Sequence, residues 1–266
     1  MSNQKPAILL IGHGSRDDEA VTEFNQLAEN FKQRFPERMV TTGFLEFARP
    51  TISDAVEKLI EQGVKNVHAV PGMLMTGTHT KRDIPNELNK LKLKHGIRIE
   101  YGAELGIDPK MLQAARARIE EAEASINDYE AAQDRRHTML VVVGRGARDP
   151  DANANISKIT RYLDESMGFG WAATAFSGTA DPLVPAVLER IKSLGVKRVI
   201  IFPYLLFTGR LAKRIYQTSD AFAVANPDIQ VVNASYLSAH EKVIDTFVER
   251  ESQITTAAAR HKEHPA

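Results

Sequence analysis

Cysteine is absent from the 266 residues. Within this sequence that excludes disulfides, thiolate zinc sites and cysteine-ligated iron–sulfur clusters. Any metal must be held by His, Asp, Glu or water. Net charge is absent as well, since 34 Lys and Arg balance 34 Asp and Glu. Such a chain is not built as a general nucleic-acid or membrane-surface binder, although local clusters can still attract a compact ion. Long apolar runs are missing too. The longest, Val199–Phe207, contains Pro203 and falls well short of the ~18 residues of a membrane span. The opening "MSNQKPAILL" is too short in apolar residues for a signal peptide. The expectation is a soluble, cytoplasmic protein of one large or two small domains.

What is present is alternation. Ala7–Ile11 reads as a buried strand, and Val21, Phe24, Leu27, Phe31 and Phe35 follow at helical spacing. Strands are expected at Met39–Phe44, Val67–Pro71 and Ile97–Tyr101, with helices over Ile52–Gln62, Asp83–Leu91 and Pro109–Ala122. Alternating strands and helices imply an α/β fold with parallel sheets and right-handed crossovers. Glu123–His137 is the candidate linker or an extension of the preceding helix, and the pattern restarts after it with "TMLVVV".

The restart is an internal repeat. An offset of 132, without a gap, pairs Gly12 with Gly144, Gly14 with Gly146, Arg16 with Arg148, Phe44 with Phe176 and Pro50 with Pro182. The same offset pairs Thr76–Gly77 with Thr208–Gly209 and Lys81–Arg82 with Lys213–Arg214. One register held from Gly12 to Arg82 implies two copies of one α/β unit, expected at 1–125 and 138–258 and facing each other across a cleft. In such sheets ligands bind at the carboxyl ends of the strands.

The repeat works as a differential experiment. Three residues at those strand ends could bind metal in the first copy: His13, Glu46 and His79. The second copy has Arg145, Gly178 and Leu211 in their places. Two neutral imidazoles and a carboxylate suit a divalent first-row ion, with positions left for water or substrate. Each residue alone has an ordinary reading: a tight Gly-rich turn, a solvated loop glutamate, a helix-start histidine. Their joint loss points to one shared purpose. His68 reads as packed or hydrogen-bonded and His95 as a helix-end residue, while His261 and His264 read as a solvated tail.

Cations gather in the same loops. Arg16, Lys81 and Arg82 adjoin the three candidate ligands, and Arg145, Arg148, Arg210, Lys213 and Arg214 occupy the matching loops of the second copy. A positive cleft of this kind suits a compact polyanion.

Here the motifs match something specific. "GHGSR" (Gly12–Arg16), "FLEFARPTI" (Phe44–Ile52) and "VPGMLMTGTHTKRDIP" (Val70–Pro85) resemble the class II tetrapyrrole chelatases, the sirohydrochlorin chelatases of cobalamin and sirohaem synthesis. "GRGARDPDAN" and "FPYLLFTGRLAKRIY" resemble the second half of the long, two-domain members. The resemblance implies two chelatase-like domains and carries the metal-site role onto His13, Glu46 and His79. It implies insertion of Co2+ or Fe2+ into sirohydrochlorin, an octacarboxylate, with Glu46 as ligand or proton acceptor. No cofactor beyond the metal substrate is expected, and no iron–sulfur cluster, nucleic acid or membrane partner. The expected state is a monomer whose repeats act as a pseudo-dimer. A non-catalytic metal or tetrapyrrole carrier, or a phosphotransfer enzyme with a nucleophilic His13, would be the rival readings.

Overall fold

The computed structural model describes residues 5–126 and 135–263, with side chains described as far as residue 257. Part of the expected linker, residues 127–134, lies outside the described residues, as do the His261 side chain and His264.

The alternation builds two parallel four-stranded sheets. In the first, β1 (Ala7–Gly12), β2 (Val40–Phe44), β3 (Asn66–Pro71) and β4 (Arg98–Tyr101) lie in the order β2-β1-β3-β4. In the second, β5 (Thr138–Gly144), β6 (Trp171–Phe176), β7 (Arg198–Pro203) and β8 (Gln230–Asn233) repeat that order as β6-β5-β7-β8. Registers repeat as well: Gly12 pairs with Phe44 as Gly144 pairs with Phe176, and Ile11 with Pro71 as Val143 with Pro203. β1 and β5 are buried along their whole lengths. This explains their near-continuous apolar sequences, because strands covered on both faces have no polar side to show.

The helices are α1 (Asp18–Lys32), α2 (Ile52–Glu61), α3 (Ile84–His95), α4 (Pro109–Ala124), α5 (Pro150–Met167), α6 (Val184–Ile191), α7 (Arg210–Ala225) and α8 (Glu241–Glu263). Local signals start them. The Asp17 side chain accepts the Glu19 N–H ahead of α1, and Asp149 does the same for Asp151 ahead of α5. Thr51 and Asp54 form a reciprocal capping box on α2. α3 starts one residue later than the periodicity predicts, because a π-helical turn, His79–Asp83, precedes it. Among the described residues no helix is long and apolar enough to cross a membrane.

The chain forms two compact units, residues 1–108 with 241–266, and residues 109–240. These differ from the sequence repeats at 1–125 and 138–258 by one helix each. α4 ends the first repeat but packs in the second unit against β7, β8 and α5. α8 ends the second repeat but packs in the first unit against β3 and α1. Matched bonds mark the exchange. Arg118 of α4 donates to the Leu237 carbonyl (3.2 and 3.4 Å), and Arg250 of α8 donates to the Leu105 carbonyl (2.5 Å). Both residues of each pair are 132 apart from their counterparts. Periodicity shows which face of a helix is apolar, not which sheet that face covers.

α8 also secures a buried polar cluster. His68, 4% exposed within β3, has Nδ1 2.7 Å from Glu251 Oε1 and Nε2 3.4 Å from Glu100 Oε2. Arg38 donates to Glu251 at 2.5 Å. Burial pushes the Glu251 carboxyl up, but hydrogen bonds and charge from His68 and Arg38 outweigh it and hold the carboxyl below its ordinary 4.5. A depressed carboxyl stabilises the fold above its unfolded value and loses that contribution as pH falls through its folded value. Urea midpoints should therefore hold above pH 4.5 and decline below it. Glu251→Gln should cost about 2 kcal/mol at neutral pH and remove part of the acid decline. An unchanged acid limb in that variant would show that the cluster does not carry it.

Candidate metal centre

The site grows from the carboxyl ends of β1, β2 and β3. Gly14, with φ 89°, begins the turn out of β1. A Cβ built there would stand 1.7 Å from the Glu46 carbonyl oxygen, so only glycine admits the loop that follows β2. That loop continues the β1–β2 pairing beyond both strands: Leu45 N–H donates to Gly12 O and Glu46 N–H to His13 O, each at 3.0 Å. His13 and Glu46 thus leave adjacent backbones side by side. His79 arrives from the other flank, on the π-helical turn after β3.

One ligand atom from each of His13, Glu46 and His79 lies within 4.8 Å of the others, and all three side chains are half-buried. His13 Nε2 is 3.3 Å from Glu46 Oε1. Two donors on one first-row ion at ~2.1 Å stand roughly 3.4 Å apart in tetrahedral geometry. The two imidazoles meet edge to face, with centroids 5.0 Å apart.

The tautomers follow from the partners. His13 Nδ1 lies 3.0 Å from the Gly14 carbonyl, which only accepts, so Nδ1 carries the proton and Nε2 the lone pair. His79 Nδ1 lies 2.9 Å from Asp83 Oδ2, four residues on. A carboxylate behind an imidazole fixes its orientation and raises its basicity as a ligand. Arg82 Nε–H bonds the other Asp83 oxygen at 3.1 Å, and this bond chiefly holds the Asp83 carboxyl below its ordinary value. Desolvation opposes the shift, and a smaller contribution from His79 adds to it.

Asp83 was not singled out from the sequence, yet a signal existed. Its counterpart 132 residues on is Ile215, a buried core residue, so the second copy lacks this carboxylate along with the three ligand-type residues. The second unit also lacks the π turn: α7 starts as a regular α-helix at Arg210.

The expected cations divide. The Arg16 guanidinium lies 4.9 Å above the ring of Phe47. Lys81 is exposed beside His79, and Arg82 is exposed but already engaged with Asp83. In the second unit Arg145, Arg148, Arg210, Lys213 and Arg214 are all exposed. Arg214 also hydrogen-bonds the carbonyl and the hydroxyl of Ser177, contacts that its position at a helix start did not suggest.

The CbiX family model matches residues 7–122 and, a second time, residues 139–254. The chain belongs to the CbiX family. A sirohydrochlorin cobaltochelatase of Priestia megaterium is 33% identical over 92% of this chain and 78% of its own length. A sirohydrochlorin ferrochelatase of Bacillus subtilis (strain 168) is 30% identical over 92% of this chain and 90% of its own. Among solved structures, SirB from Bacillus subtilis with Fe3+ superposes with a TM-score of 0.82 at 28% identity, covering 94% of this chain and 96% of that one. SirB from Bacillus subtilis subspecies spizizenii in complex with cobalt gives a TM-score of 0.78 at 28% identity, covering 94% of this chain and 95% of that one. This CbiX chain thus has the two-domain chelatase fold, one family match per sequence repeat.

Two substitutions test the geometry. Gly14→Ala should displace the Glu46 loop and cost several-fold or more in Co2+ affinity, because its Cβ has no space. Asp83→Asn should leave the thermal midpoint nearly unchanged while lowering Co2+ affinity roughly 10–100-fold. Calorimetric titration of both variants measures these effects, and wild-type affinity in Asp83→Asn would remove Asp83 from the site.

Proposed function

We propose that this chain is a sirohydrochlorin chelatase that inserts Co2+ or Fe2+ into the macrocycle with His13, Glu46 and His79 as its metal-holding and catalytic residues. The observation that carries this reading is their convergence within 4.8 Å at the strand ends of one unit. The replacement of all three in the other unit supports it.

The reaction exchanges one M2+ for two pyrrole N–H protons. The ion sheds water, is held by two imidazole nitrogens and a carboxylate oxygen, and passes to the pyrrole nitrogens. His13 and His79 each keep one nitrogen protonated against a fixed acceptor, which leaves the other for the ion. Glu46, next to His13, holds the ion and accepts a pyrrole proton, and an imidazole takes a second once the ion has left. No nucleotide and no further cofactor enters. The macrocycle carries eight carboxylates. Arg16, Lys81 and Arg82 in the first unit, and Arg145, Arg148, Arg210, Lys213 and Arg214 in the second, are their proposed partners. We place the enzyme in the cytoplasm as a monomer, with the repeats in the role of a pseudo-dimer.

Insertion followed by the absorbance change of sirohydrochlorin, with Co2+, Fe2+ and Ni2+ side by side, tests the reading and orders the metals. Many turnovers per chain are expected, whereas a stoichiometric burst and stop would mark a carrier. His13→Ala and His79→Ala should each lower insertion by at least about 100-fold with the fold intact. Glu46→Gln should slow turnover more than it weakens metal binding, since Gln keeps an oxygen donor but loses basicity. Neutralising Arg145 and Arg148 together should raise KM and flatten its salt dependence, with metal affinity unaltered.

A further inference from the structure

Phe47 follows Glu46 in the loop after β2. Its ring is 54% exposed, and its backbone sits at φ 62°. Both features run against ordinary preference, because a bulky side chain is strained at positive φ and an exposed phenyl forfeits its burial. The fold does not require the ring. The counterpart 132 residues on is Thr179, which adopts φ 66° with no aromatic group. What distinguishes position 47 is its surroundings. Its ring centroid lies 6.4 Å from that of His13, and the Arg16 guanidinium stacks 4.9 Å above it. In the second unit the cation persists as Arg148, while the ring disappears together with the metal-type side chains. The aromatic group therefore goes with the metal donors, not with general attraction of anions.

We propose that Phe47 seats the substrate: its ring is an apolar platform for the face of the tetrapyrrole beside the metal donors, and the Arg16 stacked on it anchors one rim carboxylate. This rests on the chelatase reading above. The chemistry matches on both counts. A tetrapyrrole offers a broad apolar face, which an aromatic ring engages, and a rim of carboxylates, which a guanidinium engages in bidentate fashion. The cation–π contact restricts the guanidinium before substrate arrives, so less freedom is lost on binding.

The test uses full-length Phe47→Thr, which installs the residue that the second unit carries at the same backbone conformation, alongside Phe47→Trp and Arg16→Gln. Metal-free sirohydrochlorin is titrated by fluorescence, Co2+ is titrated without the tetrapyrrole, and insertion is measured at steady state. Phe47→Thr should weaken macrocycle binding and raise KM about tenfold, with Co2+ affinity within about twofold of wild type. Phe47→Trp should keep wild-type macrocycle affinity. The double variant Phe47→Thr/Arg16→Gln should lose less than the sum of the single losses, because the two side chains act as one unit. Unaltered macrocycle binding in Phe47→Thr, or a loss of Co2+ affinity at unchanged KM, overturns the proposal. If wild type inserts metal while Phe47→Thr matches it, only the seat is lost. If wild type neither binds nor metallates sirohydrochlorin, the chelatase reading falls and the seat with it.

Discussion

One close contact organises the site: the carbonyl of Glu46 lies where a Cβ on residue 14 would be. Because Gly14 has none, the loop after β2 can continue the parallel ladder past the strand ends and bring Glu46 alongside His13. The other flank of β1 is tied in the same way, with Gly72 N–H donating to Ile11 O at 2.7 Å. The loop toward His79 is then pinned from β4's side, where Leu105 and Gly106 N–H donate to Met73 and Leu74 carbonyls, both at 2.9 Å. Backbone bonds therefore fix where three side chains emerge, before any side chain contributes.

The second unit shows that this frame and its chemistry are separable. Gly146 meets the Gly178 carbonyl as Gly14 meets that of Glu46, with a Cβ-to-oxygen distance of 1.8 Å. Tyr204 N–H donates to Val143 O, and Leu237 and Ser238 N–H donate to Leu205 and Leu206 carbonyls, at 2.8–2.9 Å. These are the bonds of the first unit displaced by 132 residues. Such bonds constrain backbone and glycine, and they leave the side chains at 145, 178 and 211 open to change. The missing donors there are not the result of a collapsed loop.

That separability decides what could be read from the sequence. The strands were legible because buried parallel strands are written as short apolar runs, and the repeat because one offset aligns Gly14 with Gly146, where a Cβ would strike backbone, along with the residues around them. His13, Glu46 and His79 were legible because the frame stayed while they changed. The ownership of α4 and α8 was not legible: an apolar stripe fits either of two equivalent sheets, and the choice rests on contacts such as Arg118 to Leu237. Asp83 and Phe47 also change between the repeats, but what each touches, His79 Nδ1 at 2.9 Å and the Arg16 guanidinium at 4.9 Å, is set in three dimensions and not by residue type. The cations were legible only as charges. That Arg82 and Arg214 are occupied by Asp83 and Ser177 is a property of three dimensions.

The donor set also suits an ion that is to be given away. A structural metal site closes four donors around its ion and excludes water. Here three donors are half-buried and spread over 4.8 Å, and one rides on a π turn instead of a regular helix. Asp83 strengthens His79 as a donor, yet the carboxylate itself is shared with Arg82, which withdraws part of that effect. For the chelatase proposed above, affinity has to lie between two failures: too weak to take the ion from water, or too strong to release it to the macrocycle. A fourth protein donor would shift that balance toward retention, and in the second unit the same frame carries arginine and leucine in place of the imidazoles.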